Sequence, residues 1–341
     1  MNVKQYLENQ LKNCSRYNLI PNDEKLLKKE KIQKYAFKKL TSKKFRRWKL
    51  DPECEKRTKK ALRLSVGKNK PLVVVYPVGA YKLWRLPSFP EVDWSEFFNI
   101  AYILKYLAPV VAAYKKDVVL YYYMHSLLME AHDNLTTKEV NQYIKSFQVL
   151  ADSFSKYLPK NLKIKIWKDA DIYTRKEYFA TLEKAYKNAK KEYEAFPEEK
   201  KQDYFRMSEL NIKWKGRNDW TKLSQKEKKE KMIRSAIYET SAGYGLTKAI
   251  NKVKADNHVL VFTKTSPQFI GIGSCKTSIV KHWVGFGILE KEGGKFYERI
   301  LSPSQFEKAK KQKHLKAKID LIPLKNFKEI WVYPQKFNFV L

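Results

Sequence analysis

Apolar residues along this chain change spacing several times, and each change marks where a helix gives way to a strand. Leu72-Val73-Val74-Val75-Tyr76 is a short, continuous, β-branched run, the pattern of a strand buried on both faces, and Pro77 and Gly79 end it. Asp93-Trp94-Ser95-Glu96 has capping-box spacing and opens an apolar helix from about Trp94 to Tyr114, which Pro109 should kink or divide. Val118 to Tyr123 predicts a second strand, Thr136 with Glu139 starts a helix to about Tyr157, and Leu162 to Trp167 predicts a third strand. Alternating strands and helices in this order predict a parallel sheet with right-handed crossovers.

Thr174 and Glu177 start a further helix, with Phe179, Leu182, Ala185, Tyr186, Ala189 and Tyr193 along one face. Ser224 and Glu227 open another to about Ile250, interrupted at Gly243 and Gly245. The runs His258–Thr263, Trp283–Leu289, Phe296–Leu301 and Glu329–Tyr333 are strand-like, and Glu292-Gly293-Gly294 is a hairpin signal between two of them. Near the amino terminus, Asn22-Asp23-Glu24-Lys25 reads as a helix start followed by a broken apolar stripe from Leu26 to Leu40. The expected fold class is α/β, a Rossmann-like parallel sheet with flanking helices. Residues 1–70 form a basic helical arm, 71–196 the core, 197–231 a charged connection, and 232–341 a mostly β part that completes the fold.

Composition sharpens this picture. With 341 residues, 43% of them hydrophobic and 14% aromatic, the chain has ample material for a core. It carries 70 Lys and Arg against 36 Asp and Glu, a formal net charge of +34. A polyanionic partner is the obvious counterpart of such an excess, although a Lys-, Tyr-, Asn- and Ile-rich composition also follows from an A/T-rich genome. The excess is concentrated: residues 1–70 hold 22 Lys and Arg and 7 Asp and Glu, a net +15. Lys38, Lys39, Lys43, Lys44, Arg46 and Arg47 are therefore candidates for nucleic-acid contact, RNA or tRNA foremost, with a solvated helix face as the alternative. No run of 18 apolar residues and no signal-peptide core is visible, so no membrane partner is expected. Cys14, Cys54 and Cys275 are scattered and odd in number, which argues against disulfides and zinc and for a reducing, cytoplasmic setting.

Two stretches carry candidate chemistry. The loop Pro77-Val78-Gly79-Ala80-Tyr81-Lys82 leaves the carboxyl end of the first strand, where open α/β sheets bind ligands, and Lys82, Arg85, Glu91 and Glu96 follow it. Gly271 to Ser278 (GIGSCKTS) offers close backbone approach, one charge and two hydroxyls, so Gly273, Lys276, Thr277 and Ser278 are candidates for binding a phosphate or carboxylate. It is not a P-loop, because Ile270 and Cys275 occupy both glycine positions of that motif, and no dinucleotide fingerprint follows the first strand. No cofactor is expected. Cys275 beside Lys276 is either an activated thiol or a small buried hydrophobe. His125, Met129 and His132 share one helical face without zinc-site spacing, and His282 lies beside Lys281 and Trp283. Trp84, Trp94, Trp214 and Trp220 are core residues or base-stacking platforms.

Residues Leu72 to about Tyr173 carry P-x-G-x-x-K at 77–82, L-P-S at 86–88, Glu91-Val-Asp-Trp-Ser-Glu96, Ala-Tyr-Lys at 113–115 and Asn134 before a capped helix. In this order and spacing the stretch resembles the Rossmann-type domains of isonitrile synthases, and more broadly the cyclodipeptide-synthase-like proteins. The resemblance implies an amino-acid-derived substrate, with Lys82 and Glu96 contacting it. The cyclodipeptide synthases further imply aminoacyl-tRNA bound through a basic helix, but the 77–82 loop lacks their nucleophilic serine and Ser88 is a poor substitute. Two readings follow: a biosynthetic synthase or transferase acting at Lys82, Glu91 and Glu96, with aminoacyl-tRNA as one form of supply, or a non-catalytic DNA- or RNA-binding protein. A structural protein whose charge reflects only its genome is a third.

Overall fold

The computed structural model describes residues 2–79, 91–132, 135–198, 201–202, 205, 222–253, 256–263 and 266–337. Five strands, β1 (Leu72–Val78), β2 (Val118–Met124), β3 (Leu162–Lys168), β4 (His258–Phe262) and β5 (Ile270–Gly271), form one wholly parallel sheet. Their spatial order is β3-β2-β1-β4-β5, so the strand order reverses at β1. All seven residues of β1 are buried, as its continuous apolar run requires of a central strand. Val74 lies opposite Leu120 on one side and Val259 on the other.

Four helices precede the sheet: α1 (Val3–Asn13), α2 (Pro21–Lys29), α3 (Ile32–Leu40) and α4 (Pro52–Gly67). They are not a detached arm. Leu7, Leu11, Leu40, Phe45 and Cys54 belong to the same apolar cluster as the strands, α3 packs on α5, and α4 packs on β1 and β4. The continuous helix expected from Asn22 onward is two helices, because the chain turns extended at Glu30 and Lys31. Helices α5 (Trp94–Ala113), α6 (Ser126–His132) and α7 (Thr137–Ser155) lie between β1 and β3 in sequence. Helices α8 (Arg175–Glu194) and α9 (Gln225–Lys252) pack as an antiparallel pair through Tyr193, Ala236 and Ile237.

Pro109 does not divide α5. It is buried, and the surrounding packing holds the helix through the lost backbone bond while the Pro109 carbonyl accepts from the Tyr35 hydroxyl at 3.3 Å. Gly243 and Gly245 likewise leave α9 uninterrupted. Among the described helices α5 alone is long and apolar enough to cross a membrane, yet 83% of its apolar window is buried within the fold.

The carboxyl-terminal part contributes a second sheet of β6 (Phe286–Glu292), β7 (Lys295–Leu301), β8 (Leu315–Lys318) and β9 (Glu329–Tyr333), with α10 (Pro303–Ala309) between β7 and β8. Gly293 and Gly294 connect β6 to β7 with φ of 55° and 76°, the left-handed pair that a two-residue hairpin demands. The second sheet lies on the amino end of α5. A Cβ on Gly287 would stand 2.4 Å from the Ser95 nitrogen and 2.4 Å from the Trp94 carbonyl carbon.

This close approach generates a prediction. Gly287→Ala must displace backbone, and overpacking of this kind costs roughly 1–3 kcal/mol. Gly67→Ala, at the end of α4 with no atom within 4 Å of the added carbon, is neutral or stabilising by about 0.4–1 kcal/mol. Urea denaturation of the two variants checks this, and equal effects would refute the packing argument.

Candidate functional site at the carboxyl edge of the sheet

In an open α/β sheet the crevice outside the strands' carboxyl ends, where strand order reverses, is the place for a ligand. Here it lies beyond β1 and β4. Val78 and Gly79 are buried there, and the His125 backbone N–H, just past β2, donates to the Val78 carbonyl at 3.1 Å.

The amino end of α5 is turned toward this edge, and its exposed N–H groups explain the local sequence. Asp93 accepts from the Ser95 N–H at 2.8 Å, and Glu96 accepts from the Asp93 N–H at 2.8 Å, completing the capping box. The other Glu96 oxygen accepts from the Tyr143 hydroxyl at 3.1 Å, and the Ser95 hydroxyl donates to the His282 carbonyl at 2.7 Å. Asn99, one turn on, donates to the Ser274 carbonyl at 2.9 Å and to the Tyr76 hydroxyl at 3.4 Å, and accepts from the Tyr122 hydroxyl at 3.3 Å. Burial pushes both phenols well above their ordinary values, so they stay protonated. The His282 ring is fully buried, 5.6 Å from the Tyr76 ring and 4.8 Å from that of Trp283.

A second group stands where β2 and β3 end. Burial, with the nearby Lys281 ammonium, pushes the His125 imidazole down to about 3, so it is neutral. Its ring meets Tyr123 edge-on at 5.0 Å. Asp169, directly after β3, accepts from the Leu127 N–H at 2.9 Å and from the Ser126 hydroxyl, and thereby caps α6. Burial raises its carboxyl to about 6 against three or more opposing hydrogen bonds.

The predicted residues are distributed unevenly over this geometry. Lys82 and Arg85, with Ser88 and Asn134, lie outside the described residues, as do Trp84, Trp214 and Trp220. Glu96 lies at the edge, where its carboxylate closes the helix cap and accepts from Tyr143. Glu91 is half-buried and accepts from the Gln142 amide at 3.0 Å. The 271–278 loop does reach α5, through the Asn99–Ser274 bond. Its hydroxyls point inward, however: Ser278 donates to the Ile300 carbonyl at 2.8 Å and Thr277 to that of Glu298. An anion would compete for both, so the phosphate-loop expectation keeps only Lys276, whose ammonium lies 5.7 Å from the Tyr297 ring. Gly273 is required by the turn itself, since a Cβ there would stand 2.7 Å from the Cys275 carbonyl. Burial drives the Cys275 thiol up to about 12, which removes it as a nucleophile.

The arm's cations are also partly committed. Lys38 pairs with Glu30 at 2.6 Å, and Lys39 pairs with the buried Asp23. Arg46 bridges to Ile272, the Arg47 N–H donates to the Gly271 carbonyl at 3.0 Å, and the Arg47 guanidinium donates to the Lys276 carbonyl at 2.8 Å. The backbone at both arginines and the Arg47 side chain fasten the arm to the sheet. Lys43 and Lys44 remain exposed. Trp94 is a core residue whose indole donates to the Glu329 carbonyl at 2.8 Å. Asn99, Tyr76, Tyr122, Tyr143 and Asp169 were not foreseen. Asn99 had a signal, a lone amide on the apolar α5 one turn after Glu96; the tyrosines read simply as strand and helix apolars. Among the described residues no group of three His, Cys, Asp or Glu side chains is placed to hold a metal.

No protein-family model matches the chain, and no curated protein matches its sequence. Among solved structures, the PvcA protein from Pseudomonas aeruginosa matches with a TM-score of 0.66 at 10% identity, over 89% of this chain and 100% of that one. The likeness is one of fold, and it extends well past the 72–173 stretch on which the resemblance to isonitrile synthases rests.

Asp169 supplies a pH test. Its folded carboxyl holds a proton to about pH 6, against an ordinary value of 3.8, so the folded state binds more protons between those limits. Stability from this group is therefore full below about pH 4 and is lost as pH rises through 6, by up to about 3 kcal/mol at 1.36 kcal/mol per unit. Asp169→Asn keeps the cap acceptor and removes the loss, so the variant should gain about 2 kcal/mol on the wild type between pH 4.5 and pH 7 in urea denaturation. Parallel stability curves would show that the buried carboxyl does not titrate as described.

Proposed function

We propose that this chain is a biosynthetic enzyme acting on an amino-acid-derived substrate at the carboxyl edge of its parallel sheet. The observation that carries this reading is the buried polar constellation of Tyr76, Asn99, Tyr122, Tyr143 and His282 at the point where strand order reverses, in a fold shared with PvcA. Interiors rarely spend an amide, an imidazole and three phenols where apolar packing would serve. Donors and acceptors of this kind suit orienting a polar substrate and passing protons, and they provide no strong nucleophile. The sequence resemblance points the same way, to amino-acid-derived substrates.

The test is turnover with the full chain. Incubation with the free L-amino acids, and separately with a pool of aminoacyl-tRNAs, is followed by mass spectrometry for new small molecules. Product from one or both pools supports the enzyme, and the productive pool identifies the form of supply. Asn99→Ala should lower kcat/KM at least 100-fold while a substitution at exposed Lys310 leaves it unchanged. No product from either pool, with an Asn99→Ala variant indistinguishable from wild type, overturns the reading.

A second reading, binding of DNA or RNA, is favoured by one specific observation. A groove of about 920 Å³ between α3 and α4 is lined by Lys34, Lys38, Lys56, Lys59, Lys60 and Arg63, with Glu30 and Glu55 as its acids. Lys34, Lys56 and Arg63 make no ion pair among the described residues. For a phosphate backbone in this groove, replacing those three by Ala lowers the slope of log K against log salt by about 2–3, at roughly 0.7–0.9 per phosphate contact. An unchanged slope, measured by fluorescence anisotropy on a labelled RNA and a labelled duplex, removes this reading.

A further inference from the structure

We infer that the carboxyl ends of β2 and β3 receive an ammonium group, held by Asp169 Oδ2 together with the hydroxyls of Tyr123 and Tyr173. The inference rests on the reading of this edge as the site of an amino-acid-derived substrate and adds where the amino group of that substrate sits.

It begins with a carboxylate that lacks a counter-ion. Asp169 is fully buried, and its Oδ1 alone accepts from both the Ser126 hydroxyl and the Leu127 N–H. The Tyr178 hydroxyl of α8 also favours the charged carboxyl, yet Asp169 Oδ2 makes no hydrogen bond. Among the described residues no Lys, Arg or His forms an ion pair with Asp169. The cations that flank this group are answered by other acids: Lys168 by Asp171 at 3.1 Å, Arg175 by Glu130 at 3.1 Å and Lys252 by Glu177 at 3.3 Å. A buried charge without a partner is costly, and folded proteins leave few such atoms unless a water, an ion or a ligand meets them.

Two phenols stand close to that carboxylate with their hydroxyls equally unused. Tyr123 Oη and Tyr173 Oη are buried and have no hydrogen-bond partner. Burial, and then the Asp169 charge, raises both phenols, which puts them in its field and keeps them protonated. The Tyr123 ring lies 5.2 Å from that of Trp167, its neighbour across β2 and β3, and the rings of Tyr173 and Tyr178 lie 5.7 Å apart. His125 meets Tyr123 edge-on at 5.0 Å, and its Nδ1 is also without a partner. Asp169 and Tyr123 have no exposure, whereas His125 and Tyr173 keep 7% and 8%, so the carboxylate is the floor of the group and these two rings are its rim.

The class of the missing partner follows from the atom types. An ionised carboxylate oxygen can only accept, and each phenol oxygen has lone pairs to offer. A group that enters must therefore donate, and it must carry positive charge to offset Asp169. A primary ammonium does both: its three N–H groups meet one carboxylate and two phenol oxygens, and the aromatic walls favour a cation. A bridging water joins the same oxygens but leaves the buried charge uncompensated.

Binding to the full chain is measured at neutral pH as a shift in melting temperature and then by calorimetry. The probes are free L-amino acids, their methyl esters, their decarboxylated amines, and the corresponding acids without the amino group. An amino acid should bind more tightly than its counterpart without the amino group by roughly tenfold or more, the scale of one charge-assisted hydrogen bond. Asp169→Asn, which keeps the acceptor that caps α6, should weaken every ammonium-bearing probe by a similar factor. Tyr123→Phe should weaken them by about threefold or more, and neither variant should melt below the wild type when free. Binding of the methyl esters alone marks an esterified supply, as in aminoacyl-tRNA, and binding of the free amino acids marks the free form. Amines bound through Asp169, with neither amino-acid form bound, support the ammonium site and sink the amino-acid substrate. An amino acid bound no more tightly than its counterpart without the amino group, with Asp169→Asn like wild type, supports the substrate and overturns the ammonium site. A Tyr123→Phe variant that melts lower when free and binds like wild type shows the phenol simply donating to Asp169, and overturns it too. Failure of every ammonium-bearing probe to bind does the same.

Discussion

The amino end of α5 is the constraint on which the rest of the carboxyl edge depends. A helix that starts inside a protein leaves backbone N–H groups with no intrahelical acceptor, and burying them without partners is costly. This chain meets the demand with side chains from the same turn, Asp93 on the Ser95 N–H and Glu96 on the Asp93 N–H. The consequences extend outward. Ser95 can then tie the His282 and Gly285 carbonyls, Tyr143 of α7 can donate to Glu96, and β6 can press its Gly287 directly onto the first turn. One buried cap thus sets the relative position of the parallel sheet, α7 and the second sheet. It also gives Glu96, a candidate carboxylate in the sequence, an architectural part at this edge.

The elements of the parallel sheet were legible because their signals are local. β1, β2 and β3 announce themselves by continuous apolar runs, and α5, α7, α8 and α9 by capping boxes whose residues sit where the periodicity begins. What failed to show was anything decided by packing at long range. Pro109 breaks helices in isolation, yet the core on all sides of α5 gives the chain no room to leave the axis. The basic arm read as a surface because its lysines outnumber its apolar positions, but Leu7, Leu11 and Leu40 are each completely or nearly completely buried. A few apolar side chains at helical spacing suffice to dock a helix whose remaining faces stay charged. β8, α10 and α1 were too short or too polar to rise above a loop pattern.

The site shows the same division. Topology alone located the edge, since a strand order that reverses at β1 leaves a crevice wherever such a sheet occurs. Residue roles did not follow from residue types. The small-residue run at 271–278 looks like an anion cradle, but its hydroxyls donate to β7 and its glycine is needed to close a turn. Conversely Asp169 looked unremarkable in sequence and proves to be a buried polar group at the edge. A hydroxyl or carboxylate has chemistry to offer only when the fold has left its lone pairs or protons uncommitted, and commitment is a property of neighbours distant in sequence.

The charge of the molecule divides along similar lines. The backbone at Arg46 and Arg47 runs alongside Gly271–Gly273, and the Arg47 guanidinium donates to the Lys276 carbonyl, so one cation of the amino-terminal excess is used to fasten the first helices to the sheet. Lys39 answers the buried Asp23, whose carboxyl would be raised by burial but is held low by the Lys39 and Tyr17 hydrogen bonds. Three cations that make no ion pair among the described residues, Lys34, Lys56 and Arg63, lie together between α3 and α4, on the flank of the helix that packs on β1 and β4, so this part of the excess is not consumed by the fold.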